Sequence, residues 1–378
     1  MTSTSLYLHL PFCASKCAYC DFNSVVAGDR LRKDYYAALL REIERCGKHY
    51  NERLFRTVYL GGGTPTLYDP GHLCQVLNTV RGSYHLAPDA EITVEANPGT
   101  VTAQGLLFLR EMGFNRLSLG VQSMDDAELK LLGRGHTAQQ AREAIAAARA
   151  AGFDNLSLDL INCLPGQTPE AWQRTLDEAV FWMPEHLSCY GLSIEEGTPL
   201  YQRQTRGLLV AAPEGAATEI FERTHRTLSA AGYEHYEIAN YARPGRRCRH
   251  NENYWRNGEY AGIGAGATSY LNGFRIKSDP DPARWAERVL AGLPPALVQR
   301  EALSDRQQAL EVLMLALRTR EGLDLAAFCR QYGLAAGRYQ LRVQALVEAG
   351  LAEPERERLV LTPVQGLLLH SEIVQMFM

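Results

Sequence analysis

Residues 9–23, HLPFCASKCAYCDFN, place three cysteines, Cys13, Cys17 and Cys20, at the spacing C-x3-C-x2-C. The stretch directly follows a strand-like run, SLYLHL (5–10). Five more β-rich runs come after it: TVYLGG (57–62), EITVEAN (91–97), RLSLGVQ (116–122), NLSLDLI (155–161) and HLSCYGLSI (186–194). Between them lie segments with apolar residues on a helical period: DYYAALLREIERCGKHY (34–50), GHLCQVLNTVRGSY (71–84), TAQGLLFLREMGF (102–114), TAQQAREAIAAARAAGF (137–153) and PEAWQRTLDEAVFWM (169–183). Several close on a glycine that suits a helix C-cap. Strand and helix alternate, so βαβ units and a parallel sheet are expected.

Two architectures carry that pattern, an open doubly wound sheet and a partial barrel. The cysteine loop, together with its counterparts, favours the second. Chemistry-bearing residues stand at the C-terminal end of every strand: Cys13–Cys20, Gly61–Pro65, Glu95–Pro98, Gln122–Ser123, Asp159 and Tyr190–Gly191. A site drawing on all strand ends is barrel-like, whereas an open sheet concentrates its site at one switch point. The fold class is therefore α/β, with a partial (β/α)6 barrel.

The barrel is expected over residues 1–235. Residues 236–300, rich in Tyr, Asn, Arg and Gly, read as strands and loops added to the barrel edge. Residues 301–378 turn helical. Three amphipathic segments and a small β-element, RERLVLTPVQG (356–366), precede a final apolar helix and suggest a winged-helix-like domain. That last region carries 8 basic and 10 acidic side chains, and a duplex-binding surface needs a positive excess. Its expected role is structural cover or partner docking.

Composition narrows the function classes. The 378 residues carry 39 basic and 43 acidic side chains, a net charge of −4, which gives no electrostatic reason to expect nucleic acid. No run of eighteen apolar residues marks a membrane span, and the first residues do not read as a signal peptide. Membrane contact is expected only through a partner. Nine cysteines, an odd and scattered set, point to a reducing compartment, the cytoplasm. The six outside the loop read as small buried hydrophobes.

A metal centre held entirely by protein takes four ligands, and the position two beyond Cys20 holds Phe22. Zinc is one reading, with His9 or a distant ligand completing the set. However, no second ligand pair is visible, and the loop lies where barrel active sites sit. A [4Fe–4S] cluster on three thiolates leaves one iron open to a small chelating molecule.

C-x3-C-x2-C in this loop, followed by GGGTPT (61–66), resembles the radical SAM superfamily. The resemblance implies S-adenosylmethionine (SAM) at the open iron. The ordered set Tyr7-x-His9-x-Pro11-Phe12-Cys13, GGGTPT, EANPGT (95–100), GVQS (120–123), GRGH (133–136), DLI (159–161) and LPGQT (164–168) is similar to one branch of it. That branch holds the oxygen-independent coproporphyrinogen dehydrogenases and the heme chaperones. The similarity covers essentially the whole chain. It implies cluster ligation by Cys13, Cys17 and Cys20. For SAM it implies contacts from Tyr7, Tyr19, Gly62, Gly63, Thr64, Glu95, Gln122, Arg134 and Asp159. Cys163, in INCLPGQT, stands where the family commonly has glycine and reads as packing.

Within the branch, the decarboxylating enzymes continue the motif as C-x-C, whereas this chain has Cys20-Asp21-Phe22, and only six residues precede Tyr7. Both departures point to the heme-chaperone group, which implies heme as ligand and a heme-acceptor protein as partner. CRHNENYW (248–255) resembles the H-N-x-x-Y-W element of those chaperones. The resemblance implies heme contacts by His250, Tyr254 and Trp255, with Arg243, Arg246, Arg247 and Arg249 available to propionates and Cys248 an alternative thiolate. From local chemistry alone, the same stretch is a packed turn with a hydrogen-bonded His250. The competing function is a radical SAM enzyme acting on a tetrapyrrole; a zinc-dependent interaction module is a third.

Overall fold

The computed structural model describes residues 2–210, 212, 215–354 and 358–377. Strands β1 (Thr2–Leu10), β2 (Arg53–Gly62), β3 (His85–Ala96), β4 (Arg116–Gln122), β5 (Leu156–Asn162) and β6 (His186–Gly191) lie side by side in chain order, all parallel. Between them run α1 (Asp29–Gly47), α2 (Pro70–Ser83), α3 (Ala103–Glu111), α4 (Asp126–Leu132) with α5 (Ala138–Ala150), and α6 (Pro169–Phe181). A doubly wound sheet reverses its strand order at a switch point, and this one does not. Sequential order with right-handed crossovers puts every connecting helix on one face, and the partial barrel follows.

The strands alternate to match. Leu6, Leu8, Val58, Leu60, Val94, Leu117, Leu119, Leu156 and Leu158 are buried against the helices in the main core. The residues between them face the other way and are polar. Tyr7 aligns with Tyr59, Tyr59 with Thr93, and Thr93 with Arg116. One step along, Glu95 aligns with Ser118 and Ser118 with Ser157, and Asp159 aligns with Ser188. A period-two pattern thus separates a dry outer face from a wet inner one.

Beyond β6 come α7 (Pro199–Thr205), α8 (Ala216–Ala230), and the short strands β7 (Glu234–His235) and β8 (Asn240–Ala242), which extend the sheet antiparallel from β6. After α9 (Arg249–Trp255), strand β9 (Tyr260–Ile263) joins the opposite edge, parallel to β1. It is followed outward by the antiparallel β10 (Thr268–Leu271), β11 (Phe274–Ser278) and β12 (Leu297–Ala302). The twelve-stranded sheet does not close. The strands added after β6 lie at both edges of the barrel, and CRHNENYW, which local chemistry alone would read as a packed turn, forms a helix. The Glu91 carboxylate on β3 accepts from the backbone N–H groups of Arg249 (3.1 Å) and His250 (3.0 Å), supplying from a distant strand the cap that the sequence around α9 lacks.

Helix α10 (Pro282–Leu290) packs on α1. A second core follows, built by Leu313 and Leu317 of α11 (Asp305–Leu317), Phe328 of α12 (Leu325–Gln331), Leu346 of α13 (Ala336–Glu348), Leu367 of α14 (Gln365–Leu368) and Ile373 of α15 (His370–Met376). A capping box of Ser304 and Gln307 starts α11. Antiparallel bridges Leu323–Leu359 and Ala352–Leu361 form the small β-element. Arg356 and Glu357, with which the expected wing begins, lie outside the described residues.

Candidate functional site

The cysteine loop is pinned before any ligand is considered. The Cys13 N–H donates to Val25 O (3.0 Å) and the Ala18 N–H to Leu132 O (2.9 Å). Each thiol has one polar neighbour. Thr64 Oγ1 donates to Cys13 Sγ (3.7 Å), Arg134 Nη1 to Cys17 Sγ (3.4 Å), and Ser24 Oγ lies 4.0 Å from Cys20 Sγ. Burial pushes the Cys20 thiol up, and charge on Cys17 and Cys13 pushes the same way. Three thiols in one loop, each with a polar neighbour, form a donor set that suits a cluster held by thiolates.

Beside the loop the inner face opens into a cavity of about 450 Å³. Of the residues expected to contact SAM, the structure brings Tyr19, Gly63, Thr64, Glu95, Gln122 and Asp159 into its lining. Tyr7, Gly62 and Arg134 are not among the residues that line it. The Tyr7 hydroxyl is 2.9 Å from His9 Nδ1. The Arg134 guanidinium gives Nη2 to Gly120 O (2.9 Å) and the Asn97 side chain and Nη1 to Cys17, while its Nε is buried without a hydrogen-bond partner among the described residues.

The glycines of GGGTPT are needed for close approach, and what they approach is the protein's own chain. Gly62 has φ +110°, and a Cβ there would sit 2.3 Å from the His9 ring; one on Gly63 would meet Phe12 backbone atoms at 2.6 Å. The run seats the end of β2 against the strand that leads into the cysteine loop.

Two carboxylates define the cavity wall. Glu95 accepts from Tyr59 OH (2.8 Å) and from the Gly62 N–H (3.1 Å), and burial pushes its carboxyl up to about 7. Asp159 accepts from three serine hydroxyls, Ser118 and Ser188 at 2.8 Å and Ser157 at 3.2 Å. The two carboxylates are thus held differently, Glu95 by a phenol and a backbone N–H and Asp159 by three serines. Gln122 reaches the cavity from a left-handed backbone, φ +70°, at the register shift that ends β4. Phe22, 66% exposed, stands at the rim.

Residues that sequence reasoning missed also line the cavity. Arg116, at the start of β4, lies in its lining although it is 2% exposed. Its signal was legible: RLSLGVQ alternates, and Arg116 shares the inner face with Ser118, Gly120 and Gln122. Asn251 comes from the first turn of α9.

The residues expected to contact heme are not among those that line the cavity. His250 is 1% exposed, with Nδ1 2.7 Å from Thr57 Oγ1 and Nε2 2.9 Å from Tyr254 OH. It stacks on Tyr59, with ring centroids 4.8 Å apart. Trp255, at the far end of α9, meets the C-terminal helices, with the Arg318 guanidinium 4.4 Å from its ring centroid. The arginines expected near propionates are engaged: Arg246 with Asp154, Arg247 with Glu234, Arg249 with Asp89, and Arg243 over Tyr233. The Cys248 thiol is buried and 3.8 Å from Glu91. Cys163 adopts φ +56°, a left-handed position that explains why glycine would serve there.

Comparison with known proteins places this geometry. Residues 7–179 match the Radical SAM superfamily, and residues 303–369 match the HemN C-terminal domain. The heme chaperone HemW of Synechocystis sp. is 39% identical over 333 residues, 85% of this chain and 80% of that one. HemW of Mycobacterium tuberculosis is 37% identical over 377 residues, 98% of this chain and 93% of its own. Among solved structures, the coproporphyrinogen III oxidase HemN of Escherichia coli, a radical SAM enzyme, superposes with a TM-score of 0.85 at 25% identity, over 100% of this chain and 90% of that one.

Proposed function

The chain belongs to the HemW family of the radical SAM superfamily, and from that membership we propose that it binds heme and passes it to an acceptor protein. The observation that carries this reading is the likeness to HemW along 98% of the chain. We place Cys13, Cys17 and Cys20 as the ligands of a [4Fe–4S] cluster and SAM in the adjoining cavity. A cluster there would supply an open iron for the amino and carboxylate groups of SAM, and an electron.

The protein's own part is orientation and charge. Asp159, fixed by three serines, offers a rigid anionic wall to a ribose or an ammonium group, and Gln122 offers donor and acceptor together. Arg134 and Thr64 hold two of the sulfurs. For heme, the α9 residues His250, Tyr254 and Trp255 remain the proposed contacts; ligation through His250 requires release from Thr57 or Tyr254. Nine free thiols suit a reducing compartment, which we take to be the cytoplasm.

We further propose that the chain does not decarboxylate coproporphyrinogen III. Phe22 at the cavity rim, in place of a fourth cysteine, supports this. The second reading, a radical SAM enzyme acting on a tetrapyrrole, is favoured by the likeness to HemN. One experiment separates them. Anaerobically reconstituted, reduced protein is given heme in one arm, and SAM with coproporphyrinogen III in the other. A saturable Soret band without protoporphyrinogen IX supports the chaperone. Protoporphyrinogen IX formation supports the enzyme, and absence of a Soret band removes the chaperone.

A further inference from the structure

The floor of the cavity holds a buried cation with an unpartnered N–H. The Nε of Arg116 has no hydrogen-bond partner among the described residues. The hydroxyl of Thr93, its neighbour in register on β3, is also buried without one. Three carboxylates surround this floor, and each is committed elsewhere. Glu91 accepts from Arg249 N, His250 N and the Cys248 thiol; Glu95 from Tyr59 and Gly62; Asp159 from its three serines. A buried guanidinium with an unpartnered N–H leaves a polar demand that a folded protein meets with water or with a ligand.

We propose that Arg116 is an anchor for a ligand's carboxylate, seated at the floor of the cavity. A guanidinium fork matches the two oxygens of a planar carboxylate. A phosphate dianion would carry its second charge toward Glu95 and Asp159, so the monoanion fits better. Among the charged side chains that line the cavity, Arg116 is the cation, and Asp21 and Glu195 stand toward the exposed mouth. The ligand is therefore anionic at its deep end and neutral or cationic at its outer end. The site is set by strand register and does not depend on heme binding or on SAM occupancy.

The test titrates the full chain with propionate and with propionamide, a neutral molecule of nearly the same shape, by calorimetry and thermal shift. Propionate is expected to bind saturably and at least about tenfold more tightly than propionamide, as loss of a charge-assisted bond implies. Arg116→Met should remove that preference. Because a buried substitution can impair folding, the Arg116 Nε–H resonance of the wild-type protein supplies a second readout, and it should shift with propionate alone. Equal binding of the two probes, binding of neither (a floor satisfied by water), or a preference that survives in Arg116→Met would overturn the proposal.

Discussion

The Nδ1 of His250 lies 2.7 Å from the Thr57 hydroxyl, so the residue that resembles an axial ligand is a strut between α9 and β2. Its Nε2 is taken by Tyr254. Replacing it with alanine removes a packed ring and strands two buried hydroxyls. His250→Ala is therefore expected to lose about 2–4 kcal/mol of stability by chemical denaturation even without heme. Thr57→Val, which frees Nδ1 while keeping shape, should cost only about 1 kcal/mol. If His250 ligates heme, Thr57→Val should keep or raise Soret intensity while His250→Ala abolishes it. Equal Soret titrations in both variants and the wild type would remove His250 as a ligand.

Burial also sets how stability depends on pH. Burial holds His250 and His235 down to about 3 and His136 to about 4, and holds His186 well below its usual value. These groups are neutral in the fold and protonate more readily when unfolded. Their stabilising effect is whole above the unfolded pKa, about 6.5, and is lost as pH falls toward those folded values. Each contributes a slope of up to about 1.4 kcal/mol per pH unit. Glu95 runs the other way. With its folded pKa raised to about 7, the fold keeps a proton that the unfolded chain releases above about 4.5, so this group's contribution falls as pH rises through that window. Denaturant melts should show steep acid loss in the wild type. In Glu95→Gln, stability between pH 4.5 and 7 should rise more steeply with pH; an unchanged profile would contradict the buried, proton-holding Glu95.

How much of this was legible in sequence depends on whether a residue's partners are local. The six strands were readable because alternation and the following helix are local signals, and the cysteine loop because its three thiols sit within eight residues. The role of CRHNENYW was not. Its helix is capped by Glu91, more than 150 residues away, and its histidine is held by Thr57. Which groups Arg134 holds was not readable, because Cys17, Asn97 and Gly120 meet it only through the fold. Arg116 was overlooked because a charged residue opening a strand reads as a solvated edge, until its inward parity with Ser118 is counted.

Cys163 gives a test of backbone strain. A non-glycine residue at φ +56° carries a local cost of about 1 kcal/mol. Its partly buried thiol, pushed up to about 11 by burial, packs against the main core and offsets some of that. Cys163→Gly is expected to change stability by less than about 1 kcal/mol, whereas Cys163→Val, β-branched at a left-handed position, should cost clearly more. Paired urea melts decide it. A large loss in the glycine variant would mean that thiol packing, rather than the turn, is what the position requires.

The C-terminal helices dock through one buried charge. Arg318, the residue that follows α11, approaches Glu237 at 2.6 Å, and Glu237 is 0% exposed, its other oxygen accepting from Ala239 N and Asn240 Nδ2. Removing one partner of such a pair leaves an uncompensated charge in the interior. Arg318→Met should therefore cost about 3–5 kcal/mol. Neutralising both, in Arg318→Met with Glu237→Gln, should recover most of it, because Gln can keep an acceptor toward Ala239 and Asn240 while the stranded charge is gone. Arg318 also lies over the Trp255 ring, so both variants should alter Trp255 fluorescence, while only the single variant falls sharply in stability. A double-mutant cycle measures the coupling. Additive losses would show that the pair is not what holds α11 to the β7–β8 turn.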